Sequence, residues 1–413
     1  MRKSVLLVAQ DFPYPLNYAG PVDSFNKIRA LHANGFNVYL VATTKGRVEN
    51  ESIGVMSEYC VQSHVIHRSY NVTNLFSLLP FQMKSRINEI EIHRICMLMK
   101  SVKFDTIICD GYYVIEVVKK IAQCLNIEDI YLRVNNNEIS YFISLAKSSR
   151  NVLKKIYYVS DAIRFYLHEK FVLPKIKLKG MLHVSHDEKM HYESKFPEFN
   201  HFFLPAAVDV NNMRAYVKRD RKNVLYVGSL FMPNNIEGLI WYIEHIHDAL
   251  THRYADYILN VAGNVRGADC KQLDDLFSTR TNISFVKSPP DLTLLYDEAM
   301  IFINPMLNGA GVKLKTLNAI CAGLPVVSTI VGNEGTGLVN GKHIMVATEA
   351  NSFFEHIVLL IENEDMRHAL VMNGQKFLAH FYNQSAALER ILVGSLEPQL
   401  GVVSKSDPTF SQK

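Results

Sequence analysis

Short apolar runs rich in β-branched residues recur along the first half of the chain. They cover residues 5–9, 38–42, 106–109, 130–134, 181–184 and 202–204. The runs are continuous rather than alternating, as expected for strands buried on both faces of a parallel sheet. Segments with helix signals separate them, such as Asp23 and Ser24 before an apolar period that Gly35 closes. This half therefore predicts alternating strands and helices.

The same alternation restarts after residue 222. Its apolar runs cover residues 224–227, 257–261, 283–286, 301–303, 326–328 and 344–346. Alternating β and α elements are typical of doubly wound sheets, and at roughly 150 residues per domain a chain of 413 residues accommodates two domains. We predict an α/β fold class with two doubly wound Rossmann-like domains that face each other across a cleft.

The predicted boundary lies where the apolar period is lost and charged residues accumulate before the second half. We expect the first domain over residues 1–205, an exposed linker over 206–222 and the second domain over 223–378. Residues 379–400 predict a C-terminal helix that packs back onto the first domain. The polar residues 401–413 predict a flexible tail.

Composition narrows the class of protein. Hydrophobic residues make up 48% and charged residues 20%, as in an ordinary globular protein. The net charge of +4 is too small for a dedicated nucleic-acid binder. The longest uncharged run, residues 316–333, contains Gly323 and Pro325, which excludes a membrane span. The N-terminal apolar run ends at Gln10 and Asp11, which indicates a strand rather than a signal peptide.

The six cysteines are scattered, without a CxxC pair or a histidine at metal-ligand spacing. This pattern favours reduced thiols in a cytoplasmic protein. No DxD sequence occurs either, so we expect neither a metal ion nor a cofactor.

Ligands of doubly wound sheets bind beyond the carboxyl ends of the strands, at helix N-termini. The loop over residues 303–319 combines Gly309 and Gly311, which allow close approach to an anion, with Lys313 and Lys315. Cations in a first helical turn oppose the helix dipole, so an anionic ligand explains them better than helix stability does. A glycine turn with solvated lysines is the alternative, because a GxG pattern is a weak signal.

Two further strand-to-helix loops face the same region in this arrangement. In residues 226–235, Gly228 would let phosphates lie on the backbone, and Asn234 or Asn235 would cap the next helix. Residues 10–21 follow the first strand and would face the other loops across the cleft.

Further motifs follow in a fixed order in the second half. They are Gly228-Ser229, Pro233-Asn234-Asn235, Ala262-Gly263, Asn304-Pro305, Gly309-Ala310-Gly311, Lys313, Lys315 and Gly332-Asn333-Glu334-Gly335. Together they resemble the donor domain of GT-B glycosyltransferases, especially the GxGxKxK subgroup of family 4. The first half is more weakly similar, through Leu132-Arg133-Val134 with Asn136 and Glu138, and the resemblance spans roughly residues 3–395.

This resemblance implies transfer of a sugar, with retention, from a nucleotide-diphosphate sugar to a glycan or lipid-linked acceptor in polysaccharide or glycoconjugate biosynthesis. Lys315 and Lys313 would be the catalytic cations that stabilise the departing diphosphate. The implied donor-binding residues are Gly228, Ser229, Asn308, Gly309, Ala310, Gly311, Asn318 and Glu334. The implied acceptor-binding residues are Gly20, Asp110, Asn136 and Glu138.

Two departures from the family pattern leave alternatives open. Many relatives have glutamates where this chain has Ala310 and Asn318, although an amide still hydrogen-bonds a hydroxyl. Relatives often have histidine where this chain has Asn135, and an amide cannot act as a general base. The alternatives are a sugar-nucleotide 2-epimerase and a catalytically degenerate subunit that binds a nucleotide sugar.

Basic residues are concentrated in residues 143–180, where nine Lys or Arg face only Asp161 and Glu169. The nine are Lys147, Arg150, Lys154, Lys155, Arg164, Lys170, Lys175, Lys177 and Lys179. Four apolar residues fall near helical spacing on one face: Leu153, Ile156, Ile163 and Leu167. We expect an amphipathic helix that contacts an anionic membrane peripherally, on its inner face. A core-packed helix with solvated lysines is the alternative.

Overall fold

The computed structural model describes residues 2–16, 19–149, 151–265, 271–309 and 311–394. Arg150, Ala310, the last part of the predicted C-terminal helix (residues 395–400) and the predicted tail over residues 401–413 lie outside the described residues.

The first half alternates strands and helices around one parallel sheet. Its elements are β1 (Ser4–Ala9), α1 (Ala19–Ala33), β2 (Asn37–Thr44), α2 (Asn50–Ser57), β3 (Gln62–His67), α3 (Phe81–Lys84), α4 (Glu89–Met99), β4 (Thr106–Asp110), α5 (Ile115–Leu125), β5 (Ile130–Val134), α6 (Glu138–Ser148), α7 (Val152–Phe171), β6 (Gly180–His183), α8 (His186–Lys195) and β7 (His201–Phe203). The strand order is β3-β2-β1-β4-β5-β6-β7. This order reverses direction between β1 and β4, which places a ligand crevice at their carboxyl ends.

The second half repeats this architecture. Its elements are β8 (Asn223–Val227), α9 (Pro233–Tyr242), α10 (Asp248–Arg253), β9 (Ile258–Gly263), α11 (Lys271–Ser278), β10 (Ile283–Lys287), α12 (Thr293–Glu298), β11 (Ile301–Asn304), α13 (Leu314–Cys321), β12 (Val326–Thr329), α14 (Ile330–Asn333), β13 (Met345–Ala347), α15 (Ala350–Glu362), α16 (Glu364–Phe381) and α17 (Gln384–Val393). The strand order is β10-β9-β8-β11-β12-β13, and the described pairings are parallel. The predicted fold class is confirmed.

Each apolar run predicted as a strand forms one, with ends shifted by no more than two residues. Strand β3 was not predicted. It lies at the edge of its sheet, and its sequence Gln-Ser-His-Val-Ile-His contains only two apolar residues, of which Ile66 is fully buried. A strand that is half exposed lacks the continuous apolar run that marks the central strands.

Both faces of each sheet are covered by helices, which is why the central strands are apolar throughout. All six residues of β1 are buried. Leu6 and Val8 pack into the core on one face of the sheet, and Val5 and Leu7 pack into the core on the other. Side chains that alternate between two cores account for the unbroken run in the sequence.

Asp23 connects three parts of the chain that are distant in sequence. Its carboxylate accepts hydrogen bonds from the Ala207 backbone N–H and the Gln384 side chain, both at 3.2 Å, and lies 3.4 Å from the Arg133 guanidinium. Burial opposes ionisation here, but Lys27 and Arg133 lower the pKa of Asp23 to about 2. Helix α17 is thereby held against α1, where Ala387 and Leu388 join the first domain's core.

The segment over residues 206–222 follows the surface of the second domain. The Arg214 N–H donates to the Cys321 carbonyl at 2.8 Å, and the Arg214 carbonyl accepts from Gln375 at 2.7 Å. Arg219 donates to the Asp297 carbonyl at 2.7 Å. These bonds fasten the segment to the second domain although its own backbone forms little regular structure.

Candidate active site

A cavity of about 730 Å³ opens at the carboxyl edge of the second sheet. Its walls come from the loop between β8 and α9, the ends of β9 and β10, and the start of α13. Five of the predicted site residues line it: Gly228, Ser229, Lys313, Lys315 and Asn318. The strand-to-helix loops therefore meet where the doubly wound arrangement places a ligand.

Lys315 lies in the first turn of α13, and its side chain is half-buried at the cavity wall. Its Nζ donates to Asn235 Oδ1 at 2.7 Å and lies 5.0 Å from the centre of the Tyr226 ring. Within the described residues, no carboxylate lies within 4 Å of this ammonium. Burial, together with the nearby Lys313 charge, lowers the pKa of Lys315 to about 7. An anion bound in the cavity would offset the free-energy cost of burying this positive charge.

Lys313 has a different environment, because its side chain turns back into the loop that carries it. The ammonium donates to the carbonyls of Gly311 at 2.7 Å and Gly309 at 3.1 Å, and lies 3.5 Å from the Glu334 carboxylate. Burial lowers its pKa, and Glu334 opposes the change. Lys313 thus fixes the shape of the glycine loop as well as adding positive charge near the cavity.

Asn235 joins the two loops that carry the site. Its side chain donates to the Ser229 carbonyl at 3.0 Å and accepts from Lys315. The prediction that Asn234 or Asn235 caps the next helix is wrong, since α9 begins at Pro233 with Met232 at the N-cap position. Asn235 lies inside the first turn, where its amide is free to position Lys315. The sequence motif marked the position but not this role.

Glycine at position 263 allows the ends of β8 and β9 to approach closely. A Cβ at Gly263 would lie 1.7 Å from the Gly228 carbonyl oxygen. The Gly228 N–H in turn donates to the Ala262 carbonyl at 3.1 Å. The loop can therefore expose its backbone to the cavity only because position 263 lacks a side chain.

Asn304 fixes the far end of the glycine loop. Its amide donates to the Thr316 hydroxyl and to the Gly332 carbonyl, both at 2.9 Å. It thereby ties the end of β11 to α13 and to the turn after β12. Asn304 belongs to the motif noted in the sequence, but its role became visible only with these three elements in place.

The remaining predicted donor-binding residues lie around this loop rather than in the cavity wall. Asn308 is exposed, and its amide donates to the Glu237 carboxylate. Gly309 has a φ of 123°, which favours glycine. Glu334 is exposed and faces Lys313. Ala310 lies outside the described residues.

Two of the predicted acceptor-binding residues lie near the cleft side of the first domain. Asn136 is exposed, and its Oδ1 lies 3.8 Å from the position that a Cβ would take at Gly311. Glu138 is buried and accepts a hydrogen bond from the Tyr113 hydroxyl. Burial raises the pKa of Glu138 to about 7, although the Tyr113 bond and Arg86 oppose this. Asn136 thus lies directly opposite the glycine loop.

The other two have different surroundings. Asp110 is buried at the end of β4, where it forms an ion pair with Lys27 at 3.0 Å and accepts a hydrogen bond from Ser24. Gly20 lies in the first turn of α1 and is half-buried. Neither residue lines the large cavity of the first domain, which lies in the loops after β1 and β2 and beneath α6 and α7 and has a volume of about 760 Å³.

Helix α7 presents an apolar face to solvent. Leu153 is 77% exposed, Ile156 60%, Ile163 53% and Leu167 42%. The helix is held to its domain by its other face, which buries Phe165 and Asp161. The helix therefore packs into the core through one face and exposes the four predicted apolar residues on another, and the membrane contact stays a prediction. No helix within the described ranges combines the length and apolarity needed to cross a membrane.

A metal site is not evident in the described part of the chain, where no three His, Cys, Asp or Glu side chains are grouped closely enough to hold an ion. Among the described residues that line the cavity of the second domain, the cations available to an anionic ligand are the side chains of Lys313 and Lys315. Metal independence itself stays a prediction.

Comparisons with known proteins agree with this arrangement. Residues 221–363 match the family described as glycosyl transferases group 1. Over 399 residues the chain is 32% identical to an uncharacterized 44.6 kDa protein in the cps region of Klebsiella pneumoniae, covering 94% of this chain and 98% of that protein.

Solved structures share the two-domain fold. Sucrose-phosphate synthase from Thermosynechococcus elongatus has a TM-score of 0.65 at 14% identity and covers 96% of this chain and 100% of its own. HepE of Anabaena, in complex with UDP and glucose, has a TM-score of 0.63 at 11% identity with the same coverage. The chain thus belongs to the same family as the Klebsiella pneumoniae protein, it has the two-domain GT-B fold of these structures, and its residues 221–363 match the group 1 glycosyl transferases.

Proposed function

We propose that this protein transfers a sugar from a nucleotide-diphosphate sugar to a glycan or lipid-linked acceptor, with retention and without a metal ion, as in the GxGxKxK subgroup of family 4. The observation that carries the proposal is the environment of Lys315. This half-buried lysine lies at the wall of a cavity of about 730 Å³, and its ammonium has an amide oxygen as its hydrogen-bond partner. A diphosphate bound there would supply the missing negative charge.

The reaction breaks the bond between the anomeric carbon and the donor's diphosphate oxygen and forms a bond to the acceptor oxygen. The acceptor's proton passes to the departing diphosphate, so the protein needs no separate base. Negative charge accumulates on the diphosphate as the bond breaks. Lys315 and the backbone N–H groups at the start of α13 stabilise this charge, while Lys313 holds the loop in shape.

The donor half and the acceptor half face each other at the glycine loop. Asn136 of the first domain lies next to Gly311, so an acceptor on the first domain would reach a sugar bound at that loop. The Anabaena relative is in complex with UDP and glucose, which supports a nucleoside diphosphate as the ligand. The Klebsiella pneumoniae relative lies in the cps region, which supports a role in polysaccharide assembly.

A panel of nucleotide sugars, offered with and without glycan or lipid-linked acceptors, tests this function. We expect one donor to be hydrolysed slowly without acceptor and consumed faster with it. Interconversion of the sugar at carbon 2 would instead support the epimerase, which the glycosyl transferase family match does not favour. Donor binding without turnover would support the degenerate subunit, an alternative based on Ala310, Asn318 and Asn135.

We further propose that α7 contacts an anionic membrane. The helix and the segments on either side of it in sequence carry six exposed lysines that form no ion pair with any described residue. Lys154, Lys155 and Lys170 lie on α7 itself, whereas Lys147, Lys175 and Lys177 lie on the flanking segments. Arg164 and Lys179 are paired with Asp161 and Asp129 and contribute less. Such a surface fits a lipid-linked acceptor whose chain stays in the membrane.

A further inference from the structure

The cavity of the first domain concentrates positive charge that the donor chemistry does not use. Its volume is about 760 Å³. Four cationic side chains line it, against two carboxylates, Asp11 and Glu49. The cations are Lys45, Arg47, Arg68 and Arg86. Lys45 and Arg47 are exposed at its rim, whereas Arg68 and Arg86 are 9% and 2% exposed.

The two buried guanidinium groups share one acceptor. Gln82 Oε1 accepts from Arg68 Nη2 at 3.0 Å and from Arg86 Nη1 at 3.1 Å. Burial and the charge of Arg68 lower the pKa of Arg86 to about 10. Two like charges held this close in a low-dielectric site repel each other.

Protein groups compensate these charges only in part. The Asp11 carboxylate lies 3.9 Å from Arg86 Nη2. Among the described residues, no carboxylate lies within 4 Å of Arg68, and its buried Nε has no hydrogen-bond partner. An unpartnered buried N–H donor on a cation costs free energy unless a ligand satisfies it.

We propose that the acceptor of this enzyme carries a phosphate group and that Arg68 and Arg86 bind that group. The proposal rests on the function proposed above and names the acceptor's chemical class. A phosphate offers several acceptor oxygens and up to two negative charges, which match a pair of guanidinium groups better than a single carboxylate does.

The rest of the cavity fits a phosphate carried either by a lipid or by a free sugar. Phe142, Tyr157 and Tyr158, from the hairpin of α6 and α7, line it. Aromatic rings bind the apolar faces of sugars and the chains of isoprenoids alike. The opposite side of α7 exposes Ile156 and Val159. A lipid phosphate could therefore enter from the membrane side, and a free sugar phosphate from solvent.

The test measures binding of farnesyl diphosphate by titration calorimetry to the full chain carrying Lys315→Ala, which removes one of the two cations at the donor site and so weakens binding there. We expect Arg68→Gln, added to this variant, to weaken binding by about 10- to 100-fold. Lys100→Ala, an exposed lysine outside the cavity, is the matched control and should bind unchanged. Binding measured this way does not depend on donor turnover, so it stands or fails separately from the proposed function.

A second variant, Lys45→Ala/Arg47→Ala, changes the rim of the cavity. Because both side chains are exposed, this variant should fold normally, so any loss of binding cannot be attributed to misfolding. It should weaken binding about tenfold or less with an unchanged melting temperature. Farnesol, which lacks the diphosphate, should not compete with farnesyl diphosphate for the cavity. If glucose 6-phosphate competes, the natural acceptor is a free sugar phosphate. If it does not compete, the acceptor is a lipid phosphate. Equal affinity in the parent, the Arg68 variant and the rim variant, or no binding by the Lys315→Ala parent, would overturn the proposal.

Discussion

The ammonium of Lys315 and the side-chain oxygen of Asn235 lie 2.7 Å apart, although the two residues are 80 positions apart in the sequence. Asn235 also holds the Ser229 carbonyl, so one amide aligns the cation with the backbone of the opposite loop. The cavity between these loops depends on that bridge. A cation that is positioned before the ligand arrives needs little rearrangement during the reaction.

Lys315→Ala should reduce turnover by about 100-fold or more, or about 3 kcal/mol, as deletion of one charge-stabilising donor does elsewhere. The measurement is initial rate with the donor that the panel selects. Lys376→Ala, an exposed lysine on α16, is the control. Activity within threefold of wild type in the Lys315 variant would remove Lys315 from the catalytic role.

Affinity for the nucleoside diphosphate should fall as pH rises above about 7. The pKa of Lys315 is lowered to about 7, so the cation is present below this pH and lost above it. Between pH 6 and pH 9 we expect about a tenfold loss beyond the ligand's own titration. Lys315→Arg keeps its charge over this range and should lack this loss. Identical pH profiles for the two proteins would contradict the assignment.

Gly263→Ala should destabilise the second domain by about 3 kcal/mol or more, because a Cβ would lie 1.7 Å from the Gly228 carbonyl oxygen. Thermal unfolding measures the loss. Gly54→Ala is the matched control, since nothing lies within 4 Å of a Cβ there and the residue is in helix α2. That change should stabilise by about 0.5 kcal/mol. Equal melting temperatures for the two variants would show that the loop has room to move.

Asp110→Asn should lower stability by about 3 kcal/mol, because it leaves the buried Lys27 charge with one partner fewer. The KM for acceptor should not change, since Asp110 is enclosed by Lys27 and Ser24. Urea unfolding and acceptor kinetics measure the two quantities. A raised KM with unaltered unfolding would restore Asp110 to the acceptor site.

Sequence reasoning located the site because the carboxyl ends of parallel strands share one edge, so loops far apart in sequence had to meet. It placed Lys315 and Gly228 on the same cavity for that reason. It could not show that Lys27 and Ser24 of α1 enclose Asp110, since a polar residue after a strand looks the same whether it faces a ligand or a neighbouring helix. The pairing of Arg68 with Arg86 was invisible for a related cause, because β3 had not been predicted and Arg68 directly follows it.

Flotation with liposomes tests the proposed membrane surface. Binding should rise with the content of anionic lipid and fall with salt, because screened charges attract less.

Ile156→Glu introduces a negative charge, of the same sign as the lipid headgroups, into the exposed apolar face of α7. It should abolish flotation without unfolding the protein, since the side chain is 60% exposed. Ile90→Glu changes an isoleucine that is 83% exposed on α4 and should float as wild type does. Each lysine near the surface adds about 1 kcal/mol, so six unpaired lysines are enough for reversible binding. If the protein stays in the soluble fraction with strongly anionic vesicles at low salt, the membrane contact is wrong, whereas the transferase assignment stands on Lys315 and its cavity.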